Sequence, residues 1–322
     1  MNHHLNRRDF LAASAASAAA GAGLLSATPS KAAEFKTKLC GAMIRSPNEK
    51  VFAELQAARF EGLESTDRAA TPEQAEAARK LAEKYGLKIH AVLYGWANFN
   101  SPDAAAVEKD IAAVETALRA AQAYGATAVL LVPCRTGVTP IPDPWEFDIR
   151  FDDSGHVTQV VRGDNEKYAA YIKAQNEATD ASRRAVQKLI PVAEKTGVII
   201  ALENVWNNLW VKPKLFAKFV ASFDNPWVKA YFDIGNHVKY AMPEEWFQAL
   251  GKLIVKLHVK DFQLNPDGHG GKFVHFREGS INWPVVRQEI EKIGYNGFLT
   301  IEESGLPLEE FRRRLDLVIA GK

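Results

Sequence analysis

The chain has 322 residues, 47% of them hydrophobic and 25% charged, with 40 Lys and Arg against 39 Asp and Glu, an ordinary globular balance with ample apolar mass for a large core. That excludes a disordered chain, a collagen and a disulfide-stapled miniprotein, and a net charge of +1 argues against a general nucleic-acid binder. Two cysteines, Cys40 and Cys134, are too few for a disulfide framework and fall in separate predicted strands, so they read as buried thiols.

The first segment reads as an address. Asn6-Arg7-Arg8-Asp9-Phe10-Leu11 precedes an Ala-, Ser- and Gly-rich apolar run from Ala12 to Ala27, a charged n-region followed by an h-region. The paired arginines with Phe-Leu behind them, and the weak, Ala-dominated hydrophobicity, resemble a twin-arginine export signal more than a Leu-rich secretory signal or a membrane span. Cleavage after Ala32, in Ser30-Lys31-Ala32, leaves 37 basic and 38 acidic residues, a net charge of −1. The expected organisation is a removed leader over 1–32 and one domain over 33–322, periplasmic and without a stable membrane anchor. Export of a folded protein also suits a metalloprotein, because a carboxylate-rich manganese site filled outside the cytoplasm would lose to copper or zinc.

From residue 38 onward, short β-branched or apolar runs alternate with amphipathic segments, the signature of βα units and a parallel sheet. The predicted strands are Leu39–Met43, Gly62–Thr66, Leu87–Tyr94, Ala126–Pro133, Val198–Glu203, Val228–Asp233, Ile254–Val259 and Phe298–Glu302. Helix openings stand between them, at Thr71-Pro72-Glu73-Gln74 and at Ser101-Pro102-Asp103. Eight such units in roughly 290 residues fit an α/β (β/α)8 TIM barrel in a single domain; a doubly wound sheet would carry a glycine-rich first turn, which is missing. A long excursion follows the fourth strand, from Arg135 to about Asn165, with Asp152-Asp153-Ser154-Gly155 as the turn of a small hairpin. In a barrel this loop lies on the substrate-binding face and reads as a lid, with a plain surface insertion as the alternative.

Strands five to eight each finish in a metal-ligand type: Leu202-Glu203, Phe232-Asp233, Leu257-His258 and Ile301-Glu302. A bulky apolar residue precedes the polar one in all four, so strand alternation turns each acid or imidazole into the barrel mouth if the apolar residue faces the helices. The same parity favours Glu302 over Glu303. A lone strand-end Glu is usually a solvated loop residue, but four in phase on consecutive strands bring three carboxylates and an imidazole to one point. Such a donor set suits Mn2+ first, with Mg2+, Co2+ or Zn2+ acceptable.

These residues carry a resemblance. Phe232-Asp233-Ile234-Gly235-Asn236, Leu257-His258-Val259-Lys260-Asp261, Phe276-Arg277-Glu278-Gly279-Ser280-Ile281-Asn282-Trp283 and Gly297-Phe298-Leu299-Thr300-Ile301-Glu302 resemble the C-terminal half of the xylose isomerase-like sugar isomerase/epimerase superfamily, nearest to the ketose 3-epimerases of the L-ribulose-5-phosphate 3-epimerase type. The resemblance implies a metal held by Glu203, Asp233, His258 and Glu302, with Glu203 and Glu302 as the acid/base pair. The chemistry agrees: removing a proton beside a ketone creates an enediolate, which needs a cation on its oxygens, a carboxylate over the C–H bond and a second carboxylate on the opposite face to invert the carbon.

Further candidates surround that core. The resemblance implies a substrate-contacting His three residues after Asp233; Asn236 stands there and His237 next, so the contact falls to one of them or is lost. Lys260 and Arg277 are cations able to bind sugar hydroxyls or a carboxylate, or to form surface ion pairs. Trp96 and Trp206 can form an apolar wall against a sugar ring or simply pack on the rim, and Glu64 can reach a distal hydroxyl. His90 reads as structural, and Asp267-Gly268-His269-Gly270-Gly271 as a flexible loop. No Walker loop, G-x-S-x-G elbow, C-x-x-C or H-E-x-x-H is present. The leading reading is a divalent-metal-dependent sugar isomerase or epimerase acting on a small carbohydrate, with homo-oligomerisation left open. The alternatives are a lyase or hydrolase on a 3-keto-glycoside using the same site, a non-catalytic carbohydrate-binding barrel and, distantly, a metal-dependent nuclease, which a near-neutral chain does not favour.

Overall fold

The computed structural model describes residues 35–322. In chain order it contains β1 (Leu39–Arg45), α1 (Glu49–Ala57), β2 (Gly62–Ser65), α2 (Pro72–Lys84), β3 (Lys88–Trp96), α3 (Ala104–Tyr124) and β4 (Ala128–Val132). After β4 come the short β5 (Arg150–Phe151) and β6 (Val157–Gln159), then α4 (Ala169–Thr196), β7 (Ile199–Glu203), α5 (Pro213–Ala221), β8 (Val228–Asp233), α6 (Pro243–Leu250) and β9 (Ile254–Val259). The hairpin strands β10 (Asp261–Leu264) and β11 (Gly271–Val274) precede α7 (Trp283–Ile293), β12 (Gly297–Ile301) and α8 (Leu308–Ile319).

Among the described residues β1, β2, β3, β4, β7, β8, β9 and β12 pair in parallel and close into a barrel through β1 and β12. All eight predicted strands form where the βα rhythm puts them. The fourth is shorter than expected at both ends; Cys134 lies just past it, buried, with its Sγ 3.0 Å from Ser182 Oγ, and Cys40 in β1 is only half-buried. The helix openings act as capping chemistry requires. Thr71 and Gln74 form a reciprocal capping box on α2, and Asp103 accepts from the Ala105 backbone N–H to start α3.

Alternation sorts the strand residues into two layers. Leu131, Leu202, Phe232, Leu257, Leu299 and Ile301 point outward and are buried beneath the helices, whereas Ala128, Leu130, Val132, Ala201 and Tyr231 pack inside the barrel. The excursion after β4 forms the expected small hairpin, β5 with β6. The segment read as a flexible loop around His269 is instead the turn of the β10–β11 hairpin, held because Phe262 and Phe273 pair across it and pack against Trp206. Among the described residues no helix is long and apolar enough to cross a membrane.

Candidate active site

Glu203 and Asp233 are the last residues of β7 and β8, His258 is the next-to-last of β9, and Glu302 follows β12 directly, its N–H still bonding to Val259 O at 3.1 Å. Because Leu202, Phe232, Leu257 and Ile301 are drawn into the helix-facing core, the four polar side chains turn inward. Strand register then sets Asp233 opposite His258. His258 Nδ1 lies 3.2 Å from Glu203 Oε1, 3.2 Å from Glu302 Oε2 and 3.8 Å from Asp233 Oδ2. One donor atom from each of the four falls within 4.8 Å of all the others, a spacing that can close on one ion.

The backbone around Asp233 is clamped. Asn204 Nδ2 donates to Asp233 O at 2.9 Å and its Oδ1 accepts from Asp233 N at 2.7 Å, while Asp233 Oδ1 accepts from the N–H groups of Gly235 and Asn236. That leaves Oδ2 facing the cluster, buried and without a hydrogen-bond donor among the described residues. Lys260 completes the constellation, 2.7 Å from Glu302 Oε2 and 3.3 Å from Asp233 Oδ2. Gly235 makes room for it, since a Cβ there would stand 2.7 Å from Lys260 Cγ and 2.8 Å from its carbonyl oxygen.

Burial pushes Glu203 up to about 7, reinforced by Glu302 and Asp233 against the hydrogen bond from His258. Burial likewise raises Asp233 to about 6, although Lys260 opposes it. Glu302 is a third exposed; burial raises it, but His258 and Lys260 outweigh that and hold it below the usual carboxylate range. Burial alone would lower His258 and Lys260, yet the carboxylates around them keep both above their ordinary values. Two acids pushed upward, and an Asp233 Oδ2 with no hydrogen bond and the Lys260 ammonium at 3.3 Å to share with Glu302, mark a cluster short of positive charge, which is what a divalent cation would supply. The residues present therefore fit a metal.

The other predicted residues divide. Lys260 joins the cluster and is no surface ion pair. Trp206, on the loop after β7, and Trp96, the last residue of β3, are 40% and 41% exposed; Trp206 packs on Phe273 beneath the Lys239 ammonium, and Trp96 beneath Arg135. Glu64 does not reach a distal hydroxyl: it is fully buried inside the barrel, where its Oε2 meets His258 Nε2 at 2.6 Å and Tyr231 Oη at 2.8 Å. His237 does not face the mouth either. It is buried against Tyr240 and Trp246, donates from Nε2 to Val205 O at 2.8 Å, and burial lowers it to about 3. Asn236 is committed to the loop, its Nδ2 donating to Asn204 O and its carbonyl accepting from Trp206 Nε1.

Arg277 sits in the left-handed region, φ 72°, with its N–H on Asp261 Oδ2, and its charged neighbours are Arg313, Arg314 and Asp261 and not the four-residue cluster. Gly279 is obligatory beside it, because a Cβ there would stand 2.1 Å from Asp261 Oδ1. His90 is structural as expected, buried and stacked on Phe298. Reading along the chain missed Asn204, Tyr231 and Asp261. Tyr231 shares the parity of Asp233 two residues on, a signal in plain view; the clamps of Asn204 and Asp261 had none. The leader lies outside the described residues.

The family model of the xylose isomerase-like TIM barrel matches residues 52–317. The chain belongs to the xylose isomerase-like TIM barrel family. A relative by sequence is the uncharacterized protein MJ1311 of Methanocaldococcus jannaschii, 26% identical over 137 residues, 41% of this chain; the match spans 45% of that relative's length. Among solved structures, 3-keto-D-glucoside 4-epimerase, YcjR, of E. coli superposes with a TM-score of 0.63 at 14% identity, over 88% of this chain and 99% of its own. The IolI protein with a bound zinc atom gives a TM-score of 0.64 at 16% identity, over 87% and 96%. At these identities the xylose isomerase-like likeness to solved structures is one of fold.

Proposed function

We propose that this protein is a divalent-metal-dependent sugar isomerase or epimerase that moves a proton beside the carbonyl of a ketose or keto-sugar. The observation that carries the reading is the convergence of Glu203 and Glu302 on one imidazole nitrogen, 3.2 Å each, with Asp233 completing a four-residue ligand set. Glu203, Asp233, His258 and Glu302 would hold the ion, Mn2+ by preference, with Mg2+, Co2+ or Zn2+ acceptable to the same oxygen-rich set. Such an ion polarises the carbonyl and stabilises the negative charge that develops on its oxygen.

The chain's own residues do the rest. Glu302, held ionised, is the base that takes the proton from the carbon beside the carbonyl. Glu203, in its protonated form, returns a proton, and its place on the other side of His258 suits delivery to the opposite face. Lys260 Nζ, hydrogen-bonded to Glu302, supplies positive charge at a substrate oxygen. Trp206 and Phe273 give the sugar an apolar wall. Asn236 and His237 are left to structural work.

A second reading keeps the site and changes the outcome: on a 3-keto-glycoside the same enediolate can expel the neighbouring glycosidic oxygen, making the enzyme a lyase or hydrolase. The fold likeness to a 3-keto-D-glucoside 4-epimerase favours a keto-glycoside as substrate in either case. The Arg7-Arg8 leader supports a periplasmic site of action, where free sugars and glycosides are at hand.

The deciding experiment incubates the metal-loaded protein with a panel of ketoses and keto-glycosides in D2O and reads deuterium position and products. Exchange at one carbon with an inverted or isomerised sugar is the expected result. Release of an aglycone selects the second reading, and no exchange with metal bound overturns both. Glu203→Gln and Glu302→Gln that bind sugar as wild type while the parent turns nothing over would leave a binding protein.

A further inference from the structure

The inside of a (β/α)8 barrel is ordinarily filled by layers of branched apolar side chains, because a buried polar group costs free energy unless it is fully hydrogen-bonded. This barrel departs from that on one side. Beneath the metal-ligand cluster run Glu64, Tyr231, Thr300 and His90, the first three wholly buried and His90 nearly so. They come from β2, β8, β12 and β3, so no local sequence logic links them; only the closed barrel brings them into one column.

The column has a direction. Tyr231 Oη donates its single proton to Glu64 Oε2 at 2.8 Å, since a carboxylate oxygen accepts. Its oxygen can then only accept, and the neighbouring Thr300 hydroxyl, which favours the ionised phenol, is oriented as a donor toward it. Thr300 Oγ1 lies 2.9 Å from His90 Nε2, so with its own proton spent it accepts from that nitrogen. His90 Nδ1, left as the unprotonated nitrogen, is the one with no partner among the described residues. Every donor from the barrel base upward points to Glu64. From the other side His258 Nε2 donates to the same Glu64 oxygen at 2.6 Å. Lys256, buried at the foot of the column and bonded to His90 O at 2.9 Å, places a positive charge whose field reaches Glu64.

The geometry points to Glu64, backed by Tyr231, as the positioning residue of the metal site. By taking the Nε2 proton of His258 it fixes which ring nitrogen is free, and Nδ1 is the nitrogen that faces Glu203, Asp233 and Glu302. The fixed ring orientation and the carboxylate behind it make that nitrogen a better ligand. Glu64 touches neither ion nor sugar; it acts through His258. This inference rests on the metal reading of the cluster and adds to it the residue that sets its affinity.

The test is direct titration of the mature, metal-stripped protein with Co2+, followed by calorimetry and by cobalt's visible absorption, with no substrate present. Glu64→Gln, which keeps the volume, should bind Co2+ about 10 to 100 times more weakly than wild type. Tyr231→Phe should lose about threefold or more in the same direction. The double variant should bind no more weakly than Glu64→Gln alone, because Tyr231 acts only through Glu64. A merely structural column would instead lower the thermal midpoint in both variants, additively, and leave the cobalt affinity of the folded protein unchanged. Folded Glu64→Gln binding Co2+ within about twofold of wild type overturns the assignment, well short of the loss expected for such a partner. If that variant does not fold, an unchanged affinity in Tyr231→Phe overturns it. Wild type that binds no Co2+, Mn2+ or Zn2+ removes the metal reading itself, a different failure.

Discussion

The two faces of the same strands are built on opposite rules. Facing the helices, Leu131, Leu202, Phe232, Leu257 and Leu299 are completely buried and wholly apolar. Facing the barrel axis, the β4 and β7 side below Glu203 is small and apolar, with Ala128, Leu130, Val132 and Ala201, but the β2, β8, β9 and β12 side carries Glu64, Tyr231, Asp233, Lys256, His258 and Thr300. Apolar burial favours folding wherever it occurs, roughly in proportion to area. Buried charges do not, so their concentration on one side of the axis identifies where the fold gives up stability for chemistry.

If that division is right, substitutions on the two faces should separate activity from stability. The largest effect belongs to Glu302→Gln and Glu203→Gln. Each should lower sugar turnover by about 10² to 10⁴-fold, the usual weight of a positioned acid or base; the chemical-denaturation midpoint should hold or rise in Glu203→Gln but fall in Glu302→Gln, which leaves Lys260 and His258 without their ionised partner though the protein still folds. Glu203→Gln should raise it above neutral pH, where an ionised carboxylate is least welcome in that burial. A turnover loss that tracks a loss of fold would break the comparison. On the opposite face, Leu131→Ala removes a wholly buried side chain far from the cluster and should cost about 2–5 kcal/mol of stability, read by urea unfolding, with the Co2+ affinity of the folded protein unchanged.

The pH dependence of stability tests the axial face as a unit. Glu203 rises to about 7 and Asp233 to about 6 on folding, so between their unfolded values and those values the native state binds more protons than the unfolded chain. The slope of unfolding free energy with pH is then negative: stability is fullest at the acid end of that window and is lost as pH climbs through 6 to 7. His258, raised by its carboxylate neighbours, acts in the same sense at higher pH, whereas Glu302, held low, supports the fold until strongly acid conditions. Chelator-treated protein should therefore lose on the order of 1–3 kcal/mol between pH 5 and pH 8 by urea unfolding. Saturating Mn2+ should cancel or reverse that trend, because the ion replaces the protons. A flat profile in chelator would mean that the carboxylates are not forced together as the distances indicate.

What could be read from the sequence follows the same division. The outward face is periodic, and a two-residue period with turn signals between strands locates all eight strands and predicts that Glu203, Asp233, His258 and Glu302 share one end of the barrel. Depth inside the barrel is not periodic. Glu64 has the inward parity of a mouth residue, yet barrel stagger sets it one layer beneath His258, and its partners lie 167 and 194 positions away. Whether Asn236 or His237 faces the mouth likewise depends on what receives the side chain: the pocket between Val205, Tyr240 and Trp246 takes His237, and Asn204 takes Asn236. The place of Arg277 depends on a related rule. The β10–β11 hairpin consumes the chain after β9 and delivers Arg277 beside α8.

The rim belongs to neither face and should give the smallest effect. Trp145, from the excursion before β5, stacks on His269 at the turn of the β10–β11 hairpin, 4.4 Å between ring centroids, and both side chains are largely exposed. On the same hairpin Phe273 packs against Trp206 and lies 5.3 Å from Lys260 Nζ, so the stack ties the excursion to the wall of the site without touching the ligands. An exposed aromatic pair contributes about 0.5–1.5 kcal/mol, and its loss should loosen the excursion and leave the barrel intact. Trp145→Ala should therefore keep the unfolding midpoint within about 1 kcal/mol of wild type and leave Co2+ affinity unchanged. The KM for the preferred sugar should rise several-fold, with kcat falling less, because a lid contributes to holding the substrate before it contributes to proton transfer. An unchanged KM would make the excursion a plain surface insertion. A lowered Co2+ affinity would instead show that the rim reaches into the polar half of the barrel, and the separation drawn between them would fail at that point.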